Sequence, residues 1–386
     1  MTGAMYAAIS GLKSHMSKLN VIGNNVANVN TFGYKAQRAV FSDSLYVTST
    51  GGSNGTTTTG ARNPSQVGYG VQISSIDLDM STGTFSPTAN GLDCMIQGDG
   101  FFLVGDKTTC NTIDATRPDS LKALNLTRVG NFEFKADGYL TNNDSSVVYG
   151  FMCIGNVNGE PIFSDQLVPI RYPKMQTVVD NTTTPPTETL MVRYATQAAN
   201  GRLTDATGEN GAELPFVAVD SVSISPETGR ITATTKDTGE VITIGIIAMG
   251  NVTNPNGVTH LDGPYYKAGD GAGDLQVALM GGIGDDMYIG NSDQLPADAP
   301  PTDLTGFTRG ITSVNGSLLN GANPPQGMRV YDGGTTSLKC GGLEASKADL
   351  ATEISEMITT QRGYQANTRI ITVTDSMLEE LVNMKR

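Results

Sequence analysis

Each end of the chain carries an apolar stripe on a seven-residue period, and a stripe of that kind must be covered by something. At the N-terminus Met5, Ile9, Leu12, Met16, Leu19 and Val26 follow alternating steps of four and three, with Gly23 filling the step before Val26. Ser10, Lys13, Ser14, Ser17 and Lys18 make the polar side. The turn-rich stretch NVNTFGYK, residues 28–35, ends the helix. At the C-terminus Leu350, Met357, Tyr364, Ile371 and Leu378 recur at every seventh position. Ile354, Gln361, Thr368, Asp375 and Val382 lie between them. The spacing predicts a helix over 347–384, about 55 Å long at the usual rise. Ser346 followed by Asp349 resembles an acidic capping box at its start.

Neither stripe is stable alone in water, because helices of this type owe most of their stability to packing. Two solutions are open. The termini can pair with each other in one molecule, or the seams can also face neighbouring subunits. Polar Gln361, Thr368 and Asp375 on the seam favour the second, since polar seam positions set register and partner at a cost in stability.

The middle reads differently. Residues 48–65, TSTGGSNGTTTTGARNPS, are low in complexity and read as a flexible or extended connector. From residue 66 the pattern is β. VGYGVQISSIDLDM alternates; MIQGDGFFLV reads as strand, Gly-Asp-Gly turn and strand. RVGNFEFKADGYLTN places Phe132 and Phe134 on one face and a turn at Asp137–Gly138. Residues 220–249 read as three strands joined by the turns PETG and KDTG. Breaks rich in Thr and Pro fall at 180–189 and 293–303. The predicted fold class is α+β, mainly β, with discontinuous nested domains. Residues 1–40 plus 343–386 form a coiled-coil-like helical domain, and 41–65 a linker. Residues 66–150 plus 216–342 form an inner β domain. An outer β domain is inserted at 151–215, with a further insertion within 267–335.

No catalytic constellation emerges. The chain has two histidines, His15 and His260, and lacks HExxH, GxSxG and Walker A patterns. A net charge of −13 argues against nucleic acid, whose phosphates select clustered Lys and Arg. No segment is apolar for long enough to insert in a membrane. Lys13, His15 and Lys18 interrupt the stretch that a cleavable signal peptide would need. Cys94, Cys110, Cys153 and Cys340 are widely spaced, with no CxxC pair, and read as small core residues. GGIGDDMYI at 281–289 fits a calcium repeat that works only in tandem, and it occurs once, so it reads as a Gly-rich loop. An alternative, a secreted adhesin or surface-layer protein with calcium-binding β domains, rests on that segment alone. No cofactor or metal is expected.

Four motifs carry a family resemblance. Residues 9–35 contain NNVANVNTFGYK, with Asn24, Asn25, Ala27, Asn28, Asn30, Thr31, Gly33, Tyr34 and Lys35. MIQGDGFFLV (95–104) and TRVGNFEFKADGYLTN (127–142) follow. Residues 341–384 contribute Leu343, Glu344, Asp349, Leu350, Met357, Gln361, Arg362, Tyr364, Gln365, Ala366, Asn367, Thr374 and Leu381. Together they resemble the bacterial flagellar rod and hook axial family. The resemblance implies a non-enzymatic polymer subunit whose terminal helices line an inner tube and whose β domains lie outside. It implies self-assembly and contact with distal rod, hook cap and hook–filament junction proteins. It also implies passage through the flagellar type III export apparatus, without a cleaved signal, to an extracellular site. Within the family, β material at 151–215 and in 267–335, and the segment VITIGIIAMGNVTNPNGV at 241–258, resemble the hook branch more than the shorter rod branch. The match departs from that branch between 267 and 340, where NPPQGMRVYDGG lies.

Overall fold

The computed structural model describes residues 2–384, apart from 56–59, 108–120, 158–159, 165–166, 181–186, 195, 198–202, 205–213, 280–287, 291–307, 310–330 and 333–335. Helices stand at both ends and strands fill the middle, giving the expected mainly-β α+β class. The chain divides into two units, 1–80 with 346–386, and 81–345.

The first unit is built on α1 (Thr2–Ala27) and α2 (Leu350–Met384), which pack together. Between them in sequence run β1 (Gln37–Asp43), β2 (Tyr46–Thr50), β3 (Ser65–Gly68) and β4 (Val71–Leu78). β1 pairs antiparallel with β4, from Gln37 opposite Leu78 to Asp43 opposite Val71. β2 pairs with β3 in the same sense. Bonds from Ser44 N to Gly70 O and from Tyr69 N to Leu45 O join the two pairs into one ribbon. The Gly/Thr-rich stretch read as a connector therefore contributes strand at Tyr46–Thr50, and 56–59 lie outside the described residues. Its sequence hides this because β2 and β3 are almost fully exposed and show no apolar alternation.

Two serines of α1 dock the ribbon. Ser10 Oγ accepts from Val71 N at 3.3 Å, and Ser14 Oγ donates to Val71 O at 3.2 Å. Gly70 permits this approach. It sits at φ +119°, and a Cβ there would fall 1.9 Å from Ser10 Oγ.

In the second unit, β5 (Phe85–Pro87) pairs with Gly342–Glu344 and β6 (Cys94–Gln97) with Ser337–Cys340. Beyond them a closed arrangement of strands starts at β7 (Phe101–Gly105) and runs on to Tyr331–Asp332. MIQGDGFFLV does form strand, turn and strand, with Gly98 and Gly100 at positive φ, but β6 and β7 take different partners. The turn at Gly138 and the three strands at 219–224, 230–235 and 241–247 follow the sequence reading. Two small antiparallel pairs, 174–180 with 187–193 and 196–197 with 203–204, stand apart from the closed sheet.

The core gathers Phe102, Val104, Phe132, Val148, Ile170, Ile231 and Ile244, all buried. Phe102 and Phe132 meet edge to face at 4.9 Å, the geometry aromatic quadrupoles prefer. Arg128 and Glu344 are also buried, 3.9 Å apart; Arg128 Nη1 donates to Gly98 O and Gly83 N donates to Glu344 Oε1. Burial pulls the Arg128 guanidinium below its ordinary range, and Glu344 opposes that. The breaks at 181–186 and 293–303, the Gly/Asp loop at 281–287 and most of 323–334 lie outside the described residues. Among the described residues no cluster of three or more His, Cys, Asp or Glu could hold a metal, and no helix is long and apolar enough to cross a membrane.

Candidate assembly surface on the terminal helices

α2 begins where Asp349 caps it. The carboxylate accepts from Ala351 N at 3.1 Å and from Thr352 Oγ1 at 2.6 Å, and these bonds hold it below the usual carboxylate range. Asp349 is thus the cap itself, not the third helical residue of a box started by Ser346. Ser346 Oγ instead accepts from Ala348 N, one turn earlier.

The two helices run antiparallel, and small residues set their spacing. A Cβ on Gly11 would lie 2.8 Å from Asn367 Nδ2. One on Gly363 would lie 2.8 Å from His15 Cε1. Each glycine seats a polar side chain from the opposite helix. Lys18 Nζ reaches Glu356 Oε2 at 3.0 Å, a partly exposed pair of small net worth. The covered row on α2 is Glu353, Met357, Thr360, Tyr364, Asn367, Ile371 and Thr374. Thr360 and Thr374 are buried and satisfied within the helix, donating to Glu356 O and Ile370 O.

The signature at the end of α1 is a hydrogen-bonded knot. Asn25 is 1% exposed. Its Nδ2 donates to Gln37 O and to Glu353 Oε1, both at 2.8 Å. Its Oδ1 accepts from Tyr34 OH at 3.0 Å and Gln37 N at 2.9 Å. One side chain ties together the end of α1, the start of β1 and the first turn of α2. Asn24 Nδ2 donates to Tyr34 OH, Asn28 Nδ2 to Asn24 O, and Thr31 Oγ1 to Asn28 Oδ1. Gly33, at φ 68°, turns the chain so that Tyr34 and Lys35 are buried. Lys347 N donates to Tyr34 O, and Lys35 Nζ to Met80 O. Burial, then the Glu353 charge, pushes the Tyr34 hydroxyl up to about 12. Burial likewise raises Glu353, against the pull of Asn25 and Lys18.

The residues singled out from sequence fall into three groups. Met357, Tyr364 and Ile371 lie on the covered row of α2, and Met5, Ile9, Leu12, Leu19 and Val26 of α1 are half-buried. Asn25, Gly33, Tyr34, Lys35 and half-buried Asn28 belong to the knot, as do exposed Asn24 and Thr31. Asn367 sits against Gly11. Met16, Leu350, Ile354, Leu378 and Val382 are exposed, and so are Ala27, Asn30, Gln361 and Arg362. Sequence reasoning passed over Ala8, Gly11, Val21 and Ile22 and placed Ser14 on the polar side, yet all five are on the buried face of α1, where Ser14 is satisfied by its bond to Val71 O. The run of small residues Ala8, Gly11 and Ser14 at helical spacing was the signal that could have found them.

Much apolar surface stays uncovered. After Thr374 every described residue of α2 is exposed, including Met377, Leu378, Leu381, Val382 and Met384. Val382 is 67% and Met384 76% exposed. Leu350, Ile354 and Ile358 form a second exposed row near the start of the helix. At about 25 cal/mol per Å² of apolar area, such rows favour association.

Family models match at both ends. One described as "Flagella basal body rod protein" covers residues 5–35, which hold most of α1 and the Asn25 and Tyr34 side of the knot. One described as "Flagellar basal body rod FlgEFG protein C-terminal" covers 341–384, which includes α2. The flagellar basal-body rod protein FlgG of Bacillus subtilis is 31% identical over 386 residues, with both chains covered in full. This chain belongs to the flagellar rod and hook axial protein family. Further members include the flagellar hook protein FlgE of Borreliella burgdorferi, 25% identical over 460 residues with both chains covered in full. The hook protein FlgE of Salmonella typhimurium is 25% identical over 435 residues, covering 98% of this chain and 99% of the relative. The chain is thus a structural subunit of the flagellar axial assembly.

Proposed function

We propose that the chain is the subunit of the flagellar hook, a flexible curved tube that passes motor torque from rod to filament. The observation that carries this reading is the uncovered apolar face of α2, with five large exposed apolar side chains past the last point where the helix is buried. Among the described residues nothing covers that face, and stacked copies would supply a partner for it. In this account the terminal helices form the inner tube and resist shear. The β-rich second unit lies outside and makes modest polar contacts that can slide. Full-length likeness to hook proteins of several bacteria supports the hook branch, as does strand structure within 151–215.

The contacts required are with copies of itself, and with distal rod, hook cap and junction proteins at the tube's ends. Export through the flagellar type III apparatus, without a cleaved signal, delivers the chain outside the cell. A second reading, distal rod, is favoured by the 31% identity to the Bacillus subtilis rod protein. Electron microscopy of purified protein under polymerising conditions separates them. Flexible curved tubes are expected for the hook; straight rigid tubes would assign the rod.

A further inference from the structure

The fold brings together two thiols that stand 246 positions apart in the chain. Cys94 on β6 and Cys340 on its partner strand are direct cross-strand neighbours, with Sγ atoms 3.3 Å apart. Opposed residues of an antiparallel pair have Cα atoms about 4.5 to 5.5 Å apart, inside the range a disulfide spans. Cys94 is fully buried, while Cys340 keeps partial access to solvent. The surroundings distinguish the two sulfurs further. The Cys94 thiol donates to Cys340 Sγ, and that bond holds Cys340 below the ordinary thiol range against the opposing effect of burial. The same bond, then burial and the Asp93 charge, pushes Cys94 up. Cys340 Sγ also lies 3.5 Å from Ile224 O. The remaining described cysteine, Cys153, is fully buried and donates to Gly155 O.

We propose that Cys94 and Cys340 form an oxidisable dithiol that a small-molecule disulfide converts to an intramolecular bond. Cys340, the partly exposed thiol, gives its proton to solvent and attacks one sulfur of the oxidant, releasing one thiolate and leaving a mixed disulfide. Cys94 then gives up its proton and attacks Cys340 Sγ, releasing the second thiolate. Two protein thiols are oxidised and one disulfide oxidant is reduced to two thiols, so the electrons balance. The product staples β6 to Ser337–Cys340, the strands between which most of the second unit begins and ends. Closing so long a loop constrains the unfolded chain strongly. Surroundings outside the cytoplasm favour the bond.

The test uses the full chain equilibrated with oxidised and reduced glutathione, quenched with an alkylating reagent in denaturant so that buried free thiols also react, and mapped without reduction. The expected result is loss of both Cys94 and Cys340 from alkylation and a linked peptide containing the two. Cys153→Ser should leave that peptide intact. Cys94→Ser should instead accumulate a glutathione adduct on Cys340, because the resolving thiol is gone. If Cys94 and Cys340 both stay alkylatable in the oxidised buffer, or link to other cysteines, the proposal fails.

Discussion

Asn25 Nδ2 donates to Glu353 Oε1 at 2.8 Å, joining the end of α1 to the first turn of α2 across 328 residues of chain. The same side chain holds Gln37 at both its N–H and its C=O. All its polar capacity is used inside the protein. Asn25→Ala should therefore leave several buried groups without partners and cost the first unit about 2 to 4 kcal/mol. Urea unfolding followed by circular dichroism at helical wavelengths measures this. A loss under about 0.5 kcal/mol, the size expected of a bland surface change, would show that the knot does not hold the helices together.

Gly70 and Gly11 should respond differently to alanine. At Gly70 a Cβ meets Ser10 Oγ at 1.9 Å and the backbone is at φ +119°. Clash and strain together should cost about 2 to 4 kcal/mol. At Gly11 the obstacle is the flexible end of Asn367, and alanine gains about 1 kcal/mol of helix propensity, so the change should be near neutral. Thermal unfolding of the two variants side by side checks the contrast.

His15 makes the helix pair sensitive to mild acid. Its ring lies against Gly363 and, edge to face, Phe41, with Lys18 close by and Glu356 bound to that lysine. Burial, then the Lys18 charge, lowers its pKa from 6.5. A base with a lowered folded pKa favours the neutral folded state. Its contribution is complete above the unfolded value and is lost as pH falls through 6.5 toward the folded value. Glu353 acts in the opposite sense and at lower pH. Its raised pKa means that ionisation costs stability, so protonation above 4.5 returns some of it. Stability of the first unit measured between pH 7.5 and about 5 should fall in the wild type and flatten in His15→Gln. A wild-type profile already flat there would contradict the assignment.

Ile371 and Leu378 share one heptad position but not one environment. Ile371 is half-buried on the covered row, and Leu378 is exposed. Ile371→Asp should destabilise the isolated chain by about 2 kcal/mol or more, because it buries a charge. Leu378→Asp should leave its stability within about 0.5 kcal/mol. Denaturant melts of the two monomeric variants decide it.

Much of this arrangement was legible in the sequence, for reasons that differ by element. The helices showed because a sustained seven-residue apolar repeat matches a helical seam and not the two-residue period of a strand. The row Met357, Tyr364 and Ile371 came directly from it. The second covered row did not. It is Glu353, Thr360, Asn367 and Thr374, one residue before the row read from the sequence, Ile354, Gln361, Thr368 and Asp375. Close approach through Gly11 and Gly363 favours small and hydrogen-bonding partners, which a count of apolar residues passes over. The strand content of β2 and β3 was hidden by their exposure. The Cys94–Cys340 contact was hidden because spacing along a chain carries no information about register between strands so distant in sequence.

The uncovered end of α2 remains the feature on which the assembly account stands. The most direct measurement is sedimentation under polymerising conditions of the wild type and of a Leu378→Asp, Val382→Asp double variant, with monomer folding confirmed by circular dichroism. The account predicts that the wild type pellets as tubes while the variant stays soluble and fully folded. A folded variant that forms tubes of normal stability would contradict it.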